Sequence, residues 1–362
     1  MPKRLAYDRP LLITILGLVT FGLVMVFSAS ALMAAERYQS PYGFVLRQAM
    51  GAVLGLGAMV LIMRLDYRKL REPGVVYALL CLTVLLLFGA FLLDRTHNTH
   101  RWIRLGPLSL QPSELAKPTL ILFLAFYLET RLRQIQQWAT LAPIVLYLGV
   151  ICGLVVAEPD LGTTLALVLI AAAMLYVAGL SWRWLGYGAV ASLPALYLLV
   201  FHVAYRRERI LAFLHPWQEA RGAAFQIVQS LIAVGSGGWW GVGLMNGKQK
   251  LFFLPEAHTD FIFAVVGEEF GWVGSALLVA AFLFILWRGM RIARRAPDEF
   301  GRLLAVGVTA MVVIQALINF SVVTSLVPNK GIPLPFISYG GSSLIFSLAA
   351  VGVLLNVSQH TG

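Results

Sequence analysis

The chain has 362 residues, 59% of them hydrophobic and 12% charged, with mean hydropathy +0.80 and a formal net charge of +11. So much apolar surface excludes a soluble domain of this length and points to a polytopic membrane protein. Both cysteines, Cys81 and Cys152, fall inside apolar stretches without metal-ligand spacing. There is no phosphate-binding glycine loop, zinc motif, repeat or low-complexity tract.

Apolar stretches of about 18–20 residues, enough to cross a bilayer, recur along the chain. In order they predict about ten spanning helices, near residues 11–33, 44–63, 75–93, 113–130, 139–157, 160–180, 184–203, 260–287, 303–325 and 338–357. The expected fold is all-α, a single integral membrane domain over residues 1–362 with a large outer loop, about 204–260, between the seventh and eighth spans. Ala29-Ser30-Ala31 resembles a leader cleavage site, but the apolar run before it is long and nine spans follow, so it reads as an uncleaved anchor.

Basic residues of short loops stay on the cytoplasmic side. Lys3, Arg4 and Arg9 precede the first span. Arg64, Arg68, Lys69 and Arg71 follow the second, while Arg131, Arg133 and Arg183 lie in later loops of the same side. Arg288, Arg291, Arg294, Arg295 and Arg302 follow the eighth. With an even number of spans, both termini are expected in the cytoplasm. Further cations fall at or near the outer surface: Arg47, Arg101, Arg104, Lys117, Arg206, Arg207, Arg209, Arg221, Lys248, Lys250 and Lys330. A long translocated loop carries charge freely, which accounts for part of this group. Arg47, Lys117 and Lys330 sit at or inside apolar segments, where a cation is costly. Cations gathered at that boundary suit an anionic ligand such as a lipid phosphate or pyrophosphate.

Within the long loop, Phe225, Val228, Leu231, Ile232 and Gly235 share one helical face, with Gln226, Gln229 and Ser230 to the other side. This predicts an amphipathic helix in the outer interface. Gly235-Ser-Gly-Gly-Trp-Trp-Gly241 ends it with a flexible turn and two indoles suited to that interface. The loop closes on Leu254-Pro-Glu-Ala-His-Thr-Asp260, placing Asp260 at the mouth of the eighth span beside His258 and Glu256. Below Asp260, Ala264, Gly267 and Gly271 form a small-residue strip that serves either close helix packing or approach of a lipid chain or a neighbouring segment. An aspartate here could be only a cap, with its anion favoured by the helix dipole. His258 tunes it, binds substrate, or satisfies a loop carbonyl. Glu268 and Glu269 lie about 12 Å deeper at a rise of ~1.5 Å per residue, and read as structural.

Three other stretches combine charge with apolar surroundings. In Leu110-Gln-Pro-Ser-Glu-Leu-Ala-Lys-Pro118, Glu114 and Lys117 face each other on one helix surface, either as a self-compensating pair or lining a wet cavity that offers Lys117 to a phosphate. Glu158-Pro-Asp-Leu-Gly-Thr-Thr164 forms a tight outer turn in which Asp160 caps the sixth span. Pro328-Asn-Lys-Gly-Ile-Pro-Leu-Pro-Phe-Ile-Ser-Tyr-Gly-Gly-Ser-Ser343 cannot continue a helix. Its free amides, Lys330, Ser338, Ser342 and Ser343 could hold a polar head group. All these pieces share one face, and a carboxylate facing several cations suits acid–base chemistry on a lipid-linked anionic substrate.

Over nearly the whole chain these stretches resemble the SEDS family (shape, elongation, division and sporulation), typified by FtsW and RodA. The resemblance runs through Phe27-Ser-Ala-Ser30, Arg101-Trp-Ile103, Gln111-Pro-Ser-Glu114, Pro159-Asp-Leu-Gly162, Leu254-Pro-Glu-Ala-His-Thr-Asp-Phe-Ile-Phe263 and Ile337-Ser-Tyr-Gly-Gly-Ser-Ser343. Asp-Phe-Ile-Phe-Ala-Val-Val-Gly-Glu-Glu after Thr259 and Lys330-Gly331 lean to FtsW, while Ile332-Pro-Leu-Pro335 reads more like RodA. The resemblance implies an inverting peptidoglycan glycosyltransferase with ten membrane helices. Such enzymes polymerise lipid II onto an undecaprenyl-pyrophosphate-linked glycan at the outer face of the bacterial cytoplasmic membrane, for division or elongation. A class B penicillin-binding protein is the implied partner, and nucleic acid is not. The family's essential aspartate falls on Asp260, its helix-four pair on Glu114 and Lys117, its loop arginine on Arg209, and its aspartate after helix five on Asp160. Lys330, His258, Arg47 and Ser342 complete the expected substrate-binding set. No cofactor is implied, and a divalent cation is the one addition the residues leave room for. The alternative is a flippase or transporter of a lipid-linked cell-wall precursor, for which embedded acids would couple protons.

Overall fold

Each of the ten apolar stretches forms a helix close to its expected bounds, and two more helices stand in the long loop. The computed structural model describes residues 7–93, 101–105, 108–202, 204–220, 222 and 224–361; Lys3, Arg4 and Arg221 lie outside them. In chain order the helices are α1 (Arg9–Tyr38), α2 (Gly43–Arg64), α3 (Pro73–Leu93), α4 (Pro112–Glu129), α5 (Trp138–Ala157), α6 (Leu161–Val177), α7 (Trp182–Phe201), α8 (Ala204–Leu214), α9 (Phe225–Ser236), α10 (Ile262–Arg295), α11 (Glu299–Val323) and α12 (Gly341–Ser358). A small antiparallel hairpin, β1 (Ile103–Leu105) and β2 (Leu108–Leu110), precedes α4. Among the described residues, α1, α2, α3, α5, α10, α11 and α12 are long and apolar enough to span a membrane. α6 is shorter, at 17 residues. α4 carries Glu114, Lys117 and Glu129, and α7 opens on Trp-Arg-Trp.

Local signals set several helix starts. Asp8 caps α1 by accepting from Leu11 N, with Pro10 in the first turn. Asp160 caps α6 through Thr163 N, and Asp298 caps α11 through Gly301 N. α11 is the central helix, packed on α4, α6, α9, α10 and α12. Small residues let backbones approach, as expected where no hydrophobic force drives helices together. Gly307 meets Ile121 and Met174, Gly289 meets Thr309, and Gly352 meets the backbone of Met59. α7 lies at the rim, with Trp182, Tyr187, Val190 and Tyr197 exposed.

The eighth predicted span is broken. Gly271 sits at φ 64°, ψ −159°, inside α10, a conformation costly to residues with a Cβ. The break arises because the loop after α9 takes over the local backbone bonding. Val242 N donates to Glu268 O and Gly243 N to Glu269 O, both at 3.0 Å, while Trp272 N and Val273 N donate to Gly238 O and Trp239 O. The small-residue strip below Asp260 is therefore filled by protein, not by a lipid chain. A Cβ on Gly271 would meet Gly241 N at 2.4 Å, and Gly267 packs on Val234.

α9 forms where the amphipathic pattern places it, and the structure adds which flank meets the bundle. Its buried residues are Ile227, Val228, Ser230 and Ala233, while Ile232 is exposed. Ser230 Oγ donates to Val323 O at 2.8 Å. The helix seats its narrow flank on α10 and α11, since a Cβ on Gly237 would collide with Gly267 O. That leaves Ile232 exposed and Leu231 half-buried. Of the expected apolar face, Ile232 is thus left exposed, as a helix in the interface requires, while Val228 is buried with Ala212 and Ala224.

Candidate active site

Asp260 stands two residues before α10, whose N-cap is Phe261 without a side-chain cap. The carboxylate is therefore not a helix cap, and its position is set from elsewhere. Asn319 of α11 donates one amide to both Asp260 O and Ile332 O, each at 2.8 Å. That clamp ties the end of the long loop to the irregular segment before α12. Ser338 Oγ donates to Thr259 O at 2.6 Å, and Tyr339 N to His258 O at 2.9 Å. The Asp260 side chain rests on Gly331, where a Cβ would stand 2.7 Å from Oδ2.

The turn after α5 completes the other wall. Asp160 accepts from Thr163 N at 2.9 Å, Thr163 Oγ1 at 2.8 Å and Gln111 Nε2 at 3.3 Å. Arg101 Nε donates to Glu158 O at 2.7 Å. Gly162 lies against Ile332 and the Gly331 carbonyl, so Asp160 and Asp260 flank the same glycine-centred segment. Burial raises the Asp260 carboxyl to about 7, helped by the negative charges of Glu256 and Asp160 and opposed by Arg101 and Arg209. Desolvation and Asp160 likewise lift Glu158 to about 8, against Arg101. Both Glu158 oxygens lack a hydrogen-bond partner among the described residues. The dipole expectation for Asp260 is thus reversed, because desolvation and two acids outweigh a helix that starts beyond it.

The remaining expected residues divide into free and committed groups. Lys330 is partly buried, with no ion pair or hydrogen bond from its ammonium among the described residues, and burial lowers its pKa. Arg209, on α8, enters the site through its charge on Asp260. Lys117 and Glu114 close on each other at 2.8 Å to both carboxylate oxygens, each side chain 3% exposed. His258 sits between the rings of Phe44 at 4.7 Å and Tyr339 at 5.7 Å, its Nδ1 buried and unpartnered. Its pKa is lowered, chiefly by burial. Arg47 donates to Tyr38 Oη at 2.9 Å beside this aromatic group. Ser342 Oγ is buried without a partner in the first turn of α12.

Two expected features are structural. Lys250, counted among the outer cations, is buried against Glu269, which also accepts from Ser28 Oγ. Glu268 accepts from Lys248 N and Gln249 N. The acids pin the loop to α10 and α1. Sequence reasoning left Arg101, Gln111 and Asn319 out of the site set, and it also omitted Gln48, which bonds Ser338 O and Gly340 N. Asn319 and Gln48 carried one usable signal: a lone amide within an apolar span is expensive unless it is employed.

The family model described as a cell cycle protein of the FtsW, RodA and SpoVE type matches residues 9–362. The chain belongs to this family. A Geobacter metallireducens relative, named "Probable peptidoglycan glycosyltransferase FtsW", is 47% identical over 98% of this chain and 95% of its own. Stage V sporulation protein E of Bacillus subtilis is 41% identical over 99% of both. Among solved structures, a chain of a peptidoglycan synthase complex that coordinates polymerization and crosslinking superposes with TM-score 0.80 at 30% identity, covering 98% of both. The rod shape determining protein RodA of Thermus thermophilus superposes with TM-score 0.74 at 31% identity, covering 99% of both. Membership makes this an integral membrane protein, and the FtsW lean of its motifs agrees with the names of its relatives.

Proposed function

We propose that this chain is an FtsW-type peptidoglycan glycosyltransferase that polymerises lipid II at the outer face of the cytoplasmic membrane during division. Both termini face the cytoplasm, and a class B penicillin-binding protein cross-links the product strands. The observation that carries the reading is Asp260, a carboxyl raised to about 7 beside the uncommitted Lys330-Gly331 segment. A base is most useful when its pKa lies near working pH.

The acceptor is the GlcNAc 4-hydroxyl of lipid II, and the donor is the terminal MurNAc C1 of the growing lipid-linked strand. The 4-oxygen attacks C1 as its proton passes to the Asp260 carboxylate. The new O4–C1 bond forms while the bond from C1 to the pyrophosphate oxygen breaks. Undecaprenyl pyrophosphate leaves with the bonding electrons, and the α-linked donor becomes a β-1,4 product by inversion. Lys330 and Arg209 neutralise the departing pyrophosphate. Arg47, His258 and Ser342 line the approach. Asp160 holds the facing wall, and the neutral Glu114–Lys117 pair keeps α4 in register below it.

The test is polymerisation of labelled lipid II by the purified complex with its cross-linking partner. Wild type should form strands, Asp260→Ala none, and Lys330→Gln strands at about a tenth of the rate, the loss of one charge-assisted contact of ~1.4 kcal/mol. Folded wild-type complex that makes no strands yet moves lipid II between leaflets would replace this reading with translocation.

A further inference from the structure

The end of the bundle remote from Asp260 holds a second charged site. Asp8, Arg9, Arg288, Arg291, Arg295 and Ser358 border a cavity of about 310 Å³ where α1, α10 and α12 meet. A neighbouring hollow of about 350 Å³ continues from it past Trp287, Met290 and Arg294. Arg288 is committed, donating through two nitrogens to Asp8, and Asp8 N donates to Ser358 Oγ at 3.0 Å. Arg9, Arg291, Arg294 and Arg295 have no carboxylate partner among the described residues. Elsewhere at this end three arginines find acids: Arg68 pairs with Asp298, Arg71 with Glu129 and Arg302 with Glu299. Arg64, Lys69, Arg133 and Arg183 at this end also lack a carboxylate partner among the described residues, but they do not border the cavity, where the leftover cations are gathered.

Its lower edge belongs to the membrane. Trp287 is 56% exposed, with the Arg291 guanidinium 5.9 Å from its ring centroid, and Leu283, one turn deeper, is 54% exposed. An indole at the end of an apolar span marks the polar–apolar boundary, so the free guanidinium groups stand at headgroup depth above an apolar stripe. From these observations we propose that the cavity binds the headgroup of an anionic phospholipid from the leaflet at that end. The guanidinium forks of Arg291 and Arg295 take the phosphodiester, and the acyl chains lie along Leu283 and Trp287. General attraction of basic loops to the membrane would need neither a cavity nor an indole at its rim.

The experiment is native mass spectrometry of the full chain in detergent, titrated with palmitoyl-oleoyl phosphatidylglycerol or the matching phosphatidylcholine. Wild type should prefer phosphatidylglycerol. R291Q/R295Q should bind it about 30-fold more weakly, which equals about 2 kcal/mol at ~1.4 kcal/mol per tenfold. R133Q/R183Q removes the same charge at the same end outside the cavity and should stay within about threefold of wild type. No lipid preference in wild type overturns the proposal, as does an equal loss in the control. Displacement of the lipid by millimolar inorganic phosphate also overturns it, because the site would then take a soluble anion.

Discussion

Gly331→Ala tests the placement of Asp260 with a single added carbon. The three nearest atoms to that carbon all belong to the Asp260 carboxyl group, with Oδ2 at 2.7 Å and Cγ at 3.5 Å. Carbon and oxygen approach to about 3.3 Å without strain, so the carboxylate must retreat by about 0.6 Å. Gly331 is exposed and has no positive φ, so alanine suits its backbone. The obstructing atoms end a short side chain with two rotatable bonds, which swings aside at little cost to the fold. Catalysis is less forgiving: misplacing a reacting group by about 1 Å can cost ~10²-fold. A loss of about 10- to 100-fold follows, or ~1.4–2.7 kcal/mol of barrier. The assay is the initial rate of lipid II polymerisation with the cross-linking partner, beside Gly341→Ala, whose new carbon meets nothing within 4 Å. Gly331→Ala should melt like wild type while turning over slowly, and Gly341→Ala should match wild type in both. A wild-type rate from folded Gly331→Ala would refute the reasoning.

The buried acids set the remaining outcomes. The Asp260 carboxyl rises from its ordinary 3.8 to about 7, so between those values the native state holds more protons than the unfolded chain and stability falls as pH rises. Asp260→Asn should therefore raise the melting temperature at pH 8 but not at pH 4, while lowering the polymerisation rate about 10²- to 10⁴-fold; equal melting shifts at both pH values would sink this account. Wild-type activity should climb with pH through about 7, the titration of the base. Glu256→Gln should move that midpoint down, because it removes a neighbouring negative charge. Glu269→Gln strands the Lys250 ammonium, only 5% exposed, without its counter-charge at a cost of about 3–5 kcal/mol. Thermal unfolding should show the loss, with Lys250→Met/Glu269→Gln recovering most of it, and a single variant that melts like wild type would contradict the pairing.

Hydropathy alone located the ten helices, because each span must satisfy its own backbone in lipid and so carries its length within itself. Asp160 as the cap of α6 and the Glu114–Lys117 contact were equally local, set by spacing along one helix. The chain's apolar runs, its charge asymmetry and the Leu254–Phe263 motif therefore determined the class of protein and named Asp260. Only the tertiary structure decided what surrounds that carboxylate. Asn319 bonds the Asp260 carbonyl across 59 residues of sequence, while Gln48 and Arg101 hold the neighbouring segments, at Ser338 O across 290 and at Glu158 O across 57. The break at Gly271 and the flank of α9 that is buried were also decided there, since both depend on which backbone arrives against which small residue. A hydrophobic pattern states how much surface a helix must hide, but the neighbour's shape selects the face. In the same way, Glu256, Asp260, Glu268 and Glu269 are alike in sequence, and their partners separate the carboxyl proposed as the base from Glu268 and Glu269, which hold the loop in place.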